Sequence, residues 1–216
     1  MKEYPALFMA DMVRAILKDR KTNTRRVLES PRYLKTYYPY EGDQADDGWP
    51  MTCHRKTGCL TRIPSPYGTL GDRIWVRETW GTWGAGDSFV AYRATDAEQM
   101  EVEDSFERWH PSIHMPRYAA RLLLDHTAAI RVERLQDISE ADAQAEGVEK
   151  NWIGPDCPPE YADEWRDYNP LNTDGFPCFS ARDSFTSLWD EINAGRGHSW
   201  ASNPWVWRVE FKRVPQ

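Results

Sequence analysis

Residues 20–26, Arg20, Lys21, Thr22, Asn23, Thr24, Arg25 and Arg26, place four cations and two hydroxyls in one short run. That much polarity is foreign to an ordinary core strand, so the run must either meet solvent or wall a pocket. Before it, Met9, Met12, Val13, Ile16 and Leu17 recur at helical spacing, which predicts an amphipathic helix ending where the run begins. In an unbroken strand Lys21 and Thr24 would point to opposite faces, so a turn is expected at the helix exit.

The 216 residues are enough for one domain with a sizeable core, here with two insertions, at about 31–66 and 149–182. With 27 basic and 34 acidic side chains the net charge is −7, which disfavours coating a long polyanion and suits a nucleoside-sized ligand. Cys53, Cys59, Cys157 and Cys178 form no Cys-x-x-Cys pair, and no apolar signal segment opens the chain, so a reduced, cytoplasmic protein is expected. No apolar run approaches the length that spans a bilayer.

Residues 27–66 are rich in Tyr, Pro, Gly and Asp and read as a loop; Cys53, His54 and Cys59 within it lack the spacing of a zinc finger. From Gly71 to Trp80, Ile74 and Val76 alternate with Trp75, Arg77 and Thr79 as a half-buried strand, with residues 89–93 as its partner. Trp75, Trp80 and Trp83 are candidates for stacking a flat base, although packing is the commoner use of tryptophan. Residues 96–107 read as a solvated acidic loop or short helix, and 109–117 as a proline-bracketed loop holding His114. Residues 120–124 and 128–132 give two further strands of an antiparallel, barrel-like sheet.

Residues 135–148 predict a short helix with Ser139 as N-cap, Glu140 and Asp142 in its first turn and Gly147 as its stop. Glu146, in the last turn, would meet the negative end of the helix dipole, which disfavours its ionisation and suits a general acid. A helix over 183–193 follows, with Phe185, Leu188, Trp189 and Ile192 on one face and Gly195 as its end. Trp205, Trp207, Val209 and Phe211 then alternate with Val206, Arg208 and Glu210 as a closing strand.

The helix with residues 20–26, the 71–80 strand, residues 112–117, the 135–148 helix and residues 203–214 together resemble the ASCH domain of the PUA-like superfamily, in its larger phage and prophage form. The resemblance implies an α+β fold: an antiparallel β-barrel with flanking short helices and two loop-rich insertions. Within that family the small bacterial N4-acetylcytidine amidohydrolases are similar at residues 20–26, and their Lys, Thr and Glu set carries over to Lys21, Thr24 and Glu146, with Glu140 as a competitor for the last. Arg20, Thr22, Arg26, Trp75, Arg77, Glu78 and His114 are then expected to bind substrate, with no metal and no cofactor.

Such a set meets the needs of amide hydrolysis. Thr24 attacks the acyl carbonyl, Lys21 takes its proton if neighbouring cations and burial depress its pKa, Arg26 or a backbone N–H holds the oxyanion, and Glu146 protonates the leaving amine. If the run is instead extended from Arg20 onward, Thr22 or a Glu146-activated water becomes the better nucleophile. Other readings are an RNA or modified-base reader without turnover, a phage accessory protein acting through protein contacts, and a nuclease.

Overall fold

The computed structural model describes residues 1–28, 37–39, 51–54, 56–62, 64–150, 164–171 and 177–215. Its main sheet contains β1 (Glu3–Leu7), β6 (Arg73–Arg77), β9 (Leu123–His126), β11 (Trp205–Arg213) and β10 (Arg131–Arg134), with β2 (Asn23–Val27) on β11 as well. All these pairings are antiparallel except β1 with β6, which is parallel, so the purely antiparallel expectation is corrected. Residues 3–7 gave no sequence signal; the strand forms because its backbone fits the free edge of β6. β11 is the centre of the sheet rather than its closing edge: β9 and β10 share one side of it and β2 takes the other.

Alternation along β11 explains that position. Trp207, Val209 and Phe211 enter the main core with Ala6, Phe8, Val13, Ile16, Ile74, Val76 and Leu124. Val206 packs on the opposite face, against α3 (Glu140–Ala145) and α4 (Ala181–Asn193), through Leu135, Ala143, Phe185, Leu188 and Trp189. A strand apolar on both faces is stable only with a layer on each. The sheet curls as a half-barrel around the main core, into which α1 (Ala10–Leu17) packs Val13 and Ile16. Across the curl, the Arg26 guanidinium of β2 donates to the Leu7 carbonyl of β1 and lies 4.9 Å from the Phe8 ring centroid.

Several expectations are corrected in detail. The 31–66 insertion contains a three-stranded antiparallel sheet, β3 (Tyr37–Pro39), β4 (Met51–His54) and β5 (Leu60–Arg62), where a loop was read. After β4, Gly58, at φ 68°, donates its N–H to the His54 carbonyl at 2.9 Å, and the His54 ring accepts from the Lys56 and Thr57 N–H groups. Its short polar strands carry too little apolar periodicity to be read as such. Residues 89–93 do not pair with β6: β8 (Phe89–Tyr92) pairs with a separate strand, β7 (Trp80–Trp83). Residues 93–100 form α2 (Arg93–Met100), and α4 ends at a single-turn helix, Ala194–Arg196, and a left-handed Gly197 rather than at Gly195. Residues 151–163 and 172–176 of the second insertion, with Cys157, lie outside the described residues. No helix among those described is long and apolar enough to cross a membrane.

One buried group makes the fold pH-sensitive. His126 Nε2 lies 2.8 Å from the Tyr67 carbonyl, which can only accept, so Nε2 carries the proton; Nδ1 is buried with no partner among the described residues. Burial pushes the imidazole pKa below its ordinary 6.5, so the folded state keeps it neutral where the unfolded chain protonates. The unfolded state thus binds more protons as pH falls through 6.5, and stability is lost in that direction. Urea midpoints should fall between pH 7.5 and pH 5, and the fall should be smaller in His126→Gln.

Candidate active site

The second half of the polar run is a strand. The chain turns out of α1 at Lys18 and a left-handed Asp19, at φ 53°, runs without a further turn through Arg20, Lys21 and Thr22, and enters β2 at Asn23. The turn at the helix exit therefore lies before Lys21 and not between Lys21 and Thr24, and strand alternation places Thr24. Such polarity is tolerated in the middle of the protein because carboxylates meet it. Asn23 and Arg25 face outward to α3, whereas Arg26 faces inward to Leu7 and Phe8, and buried Thr24 shares its side by alternation.

Lys21 has 2% of its surface exposed and Glu146 3%, and Lys21 Nζ donates to Glu146 Oε2 at 2.7 Å and to the Glu146 carbonyl at 2.8 Å. An ammonium has three N–H groups, so one remains for a reacting partner. Burial pushes the lysine pKa below its ordinary value, against the opposing pull of Glu146 and with the help of Arg26 and Arg25. Lys21 thus feels an arginine from each face of β2. Glu146 is not left to the helix dipole: its other oxygen, Oε1, lies 3.3 Å from Arg25 Nη1.

Arg25 is the hub of the charge network. Its Nε donates to Glu133 at 2.7 Å and its Nη2 to Asp142 at 3.2 Å, while Arg208 reaches the same Asp142 at 3.0 Å and Glu210 at 2.9 Å. Burial works against the Arg25 charge, yet Glu146, Glu133 and Asp142 together carry its pKa above the ordinary value. The signal available in sequence was period two: Asn23 and Arg25 on one face of a strand opposite Arg208 and Glu210 of another.

Local punctuation delivers Glu146 to this place. The Ser139 hydroxyl accepts from Asp142 N–H at 3.1 Å as the N-cap, and Gly147 follows the helix at φ 87°. A Cβ on Gly147 would lie 2.8 Å from Lys21 Cβ and 2.9 Å from Ala15 Cβ. Gly147→Ala should therefore part Glu146 from Lys21 and cost about 2–4 kcal/mol, from left-handed strain and overpacking, read in urea denaturation. Glu140 has other work: its carboxylate accepts from the Ala181 and Arg182 N–H groups, at 2.7 and 3.0 Å, and so caps the N-terminus of α4.

Two cavities adjoin the pair. An open groove of about 860 Å³ runs past Arg20 and Thr22, between the α1 exit and α3, with Lys18, Lys150 and Trp165 on its walls. A smaller, more enclosed one of about 160 Å³ is lined by Glu146, with Met12, Arg166, Tyr168 and Leu188. Arg20 also donates to the Gly147 and Val148 carbonyls. Arg26 lines neither cavity, but its Nε is a buried donor with no partner among the described residues.

The other expected binding residues lie apart from Lys21. Trp75 sits on β6 with Arg77 and Arg117 at 5.4 and 5.9 Å from its ring, Arg77 donates to the Ile113 carbonyl, and His114 is exposed on the adjoining helical turn Ser112–His114. Glu78 is buried and held in a two-pronged pair by Arg121, both contacts 2.9 Å; burial pushes its carboxyl up, against Arg121. None of these four lines either cavity. Trp80 packs with Met115 and Ala119, and Trp83 stacks on Phe89. Among the described residues no three His, Cys, Asp or Glu side chains are placed to hold a metal ion.

Comparison with protein-family models, curated proteins and solved structures found no match to this chain.

Proposed function

We propose that the protein is an ASCH-type amidohydrolase that removes the acyl group from N4-acylated cytosine or cytidine. The observation that carries this is the Lys21–Glu146 contact, a buried lysine of depressed pKa 2.7 Å from the carboxylate of a residue that also borders a small cavity. The attacking oxygen is Thr24 Oγ1 or, because Thr24 lies on the Arg26 side of β2 and lines neither cavity, Thr22 Oγ1 or a water held by Glu146; it gives its proton to neutral Lys21. Arg26, with a buried N–H to spare, steadies the oxyanion. The proton crosses the short contact to Glu146 and reaches N4, the C–N bond breaks, and cytosine or cytidine departs. A threonine nucleophile is left as its acyl ester, which water, deprotonated through the same pair, cleaves to the carboxylic acid; a water nucleophile gives the acid directly.

The open groove favours a second reading. Lys18, Arg20 and Lys150 beside Trp165 suit a reader that binds RNA or a modified base without turnover. Incubating the protein with N4-acetylcytidine, N4-acetylcytosine and an acetylated short RNA, and assaying free acetate and deacylated product, separates the two. Product supports the hydrolase; binding without product supports the reader.

A further inference from the structure

The second insertion reaches the candidate site. Residues 164–168 form a strap between the α3 exit and α4, fastened by backbone bonds of 2.9 and 2.8 Å between Trp165 and Cys178 and by Arg166 N–H to the Glu149 carbonyl at 2.9 Å. The Ser184 hydroxyl donates to the Arg166 carbonyl at 2.5 Å, and Tyr168 N–H to the Ser187 hydroxyl at 2.9 Å. The strap sets Arg166 and Tyr168 in the wall of the 160 Å³ cavity, opposite Glu146.

We propose that this cavity seats the aminopyrimidine ring of the substrate, with Glu146 at its amino group and Arg166 and Tyr168 donating to its ring-nitrogen and carbonyl acceptors. The assignment rests on the amidohydrolase reading for its substrate and on the cavity for its geometry. At about 160 Å³ the space is well under the ~300 Å³ at which sites take drug-sized ligands, which fits one ring and leaves the acyl group and any sugar outside. Met12 and Leu188 supply apolar walls. The Tyr168 hydroxyl accepts Glu149 N–H at 3.0 Å, so its own proton is the one it offers. Burial pushes that phenol up to about 12, which keeps the proton in place. Arg166 is held by Glu149 Oε2 at 2.8 Å and lies 4.7 Å from the Tyr168 ring centroid, so both donors are fixed before a ligand arrives.

The lining also carries Asp11, Glu149 and Glu191; Asp11 and Glu149 are both paired with Arg166, Asp11 with Arg14 as well and Glu149 with Arg20. Acceptors at Glu146 and Glu191 suit the N–H groups of an amine and oppose the O4 lone pairs of uracil. Discrimination by an unpaired buried polar group is large.

Calorimetric titration with the free bases cytosine and uracil tests the assignment on wild type, Tyr168→Phe and Arg166→Lys, alongside KM and kcat for N4-acetylcytosine. Cytosine should bind at least about tenfold more tightly than uracil. Each variant should weaken cytosine about tenfold and raise KM more than it lowers kcat, while still melting in a single cooperative transition. Equal binding of the two bases, binding unaltered in both variants, or binding of putrescine in place of cytosine overturns it. Cytosine binding with this variant pattern but no hydrolysis sinks the reaction and leaves the cavity assigned; hydrolysis with wild-type KM in both variants does the reverse.

Discussion

Replacing Lys21 with methionine should lower N4-acetylcytidine hydrolysis by about 10²–10⁴-fold while the core stays filled. Methionine keeps the length of the buried stem and loses only the group that handles the proton. Glu146→Gln should fall comparably, since the amide cannot carry the proton to N4. Thr24→Val, almost isosteric, should lose as much if the hydroxyl is the nucleophile, and Thr24→Ser should regain part of it. Full activity in Thr24→Val would transfer the attack to a water held by Glu146. In the wild type, turnover should climb with pH and level off below the usual lysine value of 10.5, because burial makes the neutral amine accessible earlier. A Lys21→Met enzyme of near wild-type rate would end the role of Lys21 as base.

Arg25→Met should cost about 3–5 kcal/mol of stability, among the largest effects of any single change in this protein. The guanidinium is the shared cation of Glu133, Asp142 and Glu146, and its loss leaves three carboxylates facing a buried methyl. For a domain of ordinary marginal stability that is a large fraction of the whole. Arg25→Lys should recover less than half, because one ammonium cannot span three carboxylates, one on β10 and two at α3 and its C-cap. Urea denaturation gives both figures. A loss under about 1 kcal/mol in Arg25→Met would mean that water replaces the cation and that the network is looser than its distances indicate.

What could be read in advance followed from periodicity and capping. The α1 spacing, the Ile74 and Val76 alternation, the Ser139 cap and the Gly147 stop all depend on neighbours in sequence, and all are present in the fold. The proximity of Lys21 and Glu146 was legible only through family resemblance, since 125 residues separate them. Long-range compensation was the hidden quantity. Residues 23–27 looked too polar for a core strand because the carboxylates of Glu133, Asp142 and Glu146 are remote in sequence and close in space. The strand Glu3–Leu7 was missed for the opposite reason: with Pro5 inside and one face exposed, its apolar signal is weak. Trp75 and Arg77 line neither cavity, a placement that depends on how the sheet curls and that local periodicity does not encode.

The central place of β11 has a consequence for how the protein is made. Its residues 205–213 supply partners to β2, β9 and β10, strands laid down roughly 70 to 190 residues earlier. During synthesis β2 and β10 have no ladder to join, and β9 has only β6, until residue 213 is clear of the ribosome, so the sheet is completed only after translation of that point. Until then Arg25, Glu133 and Glu146 wait as separate hydrated charges, and the edges of β2 and β9 are open to other chains. Nascent-chain length, more than temperature or dilution, is the variable that should govern whether this protein folds or aggregates.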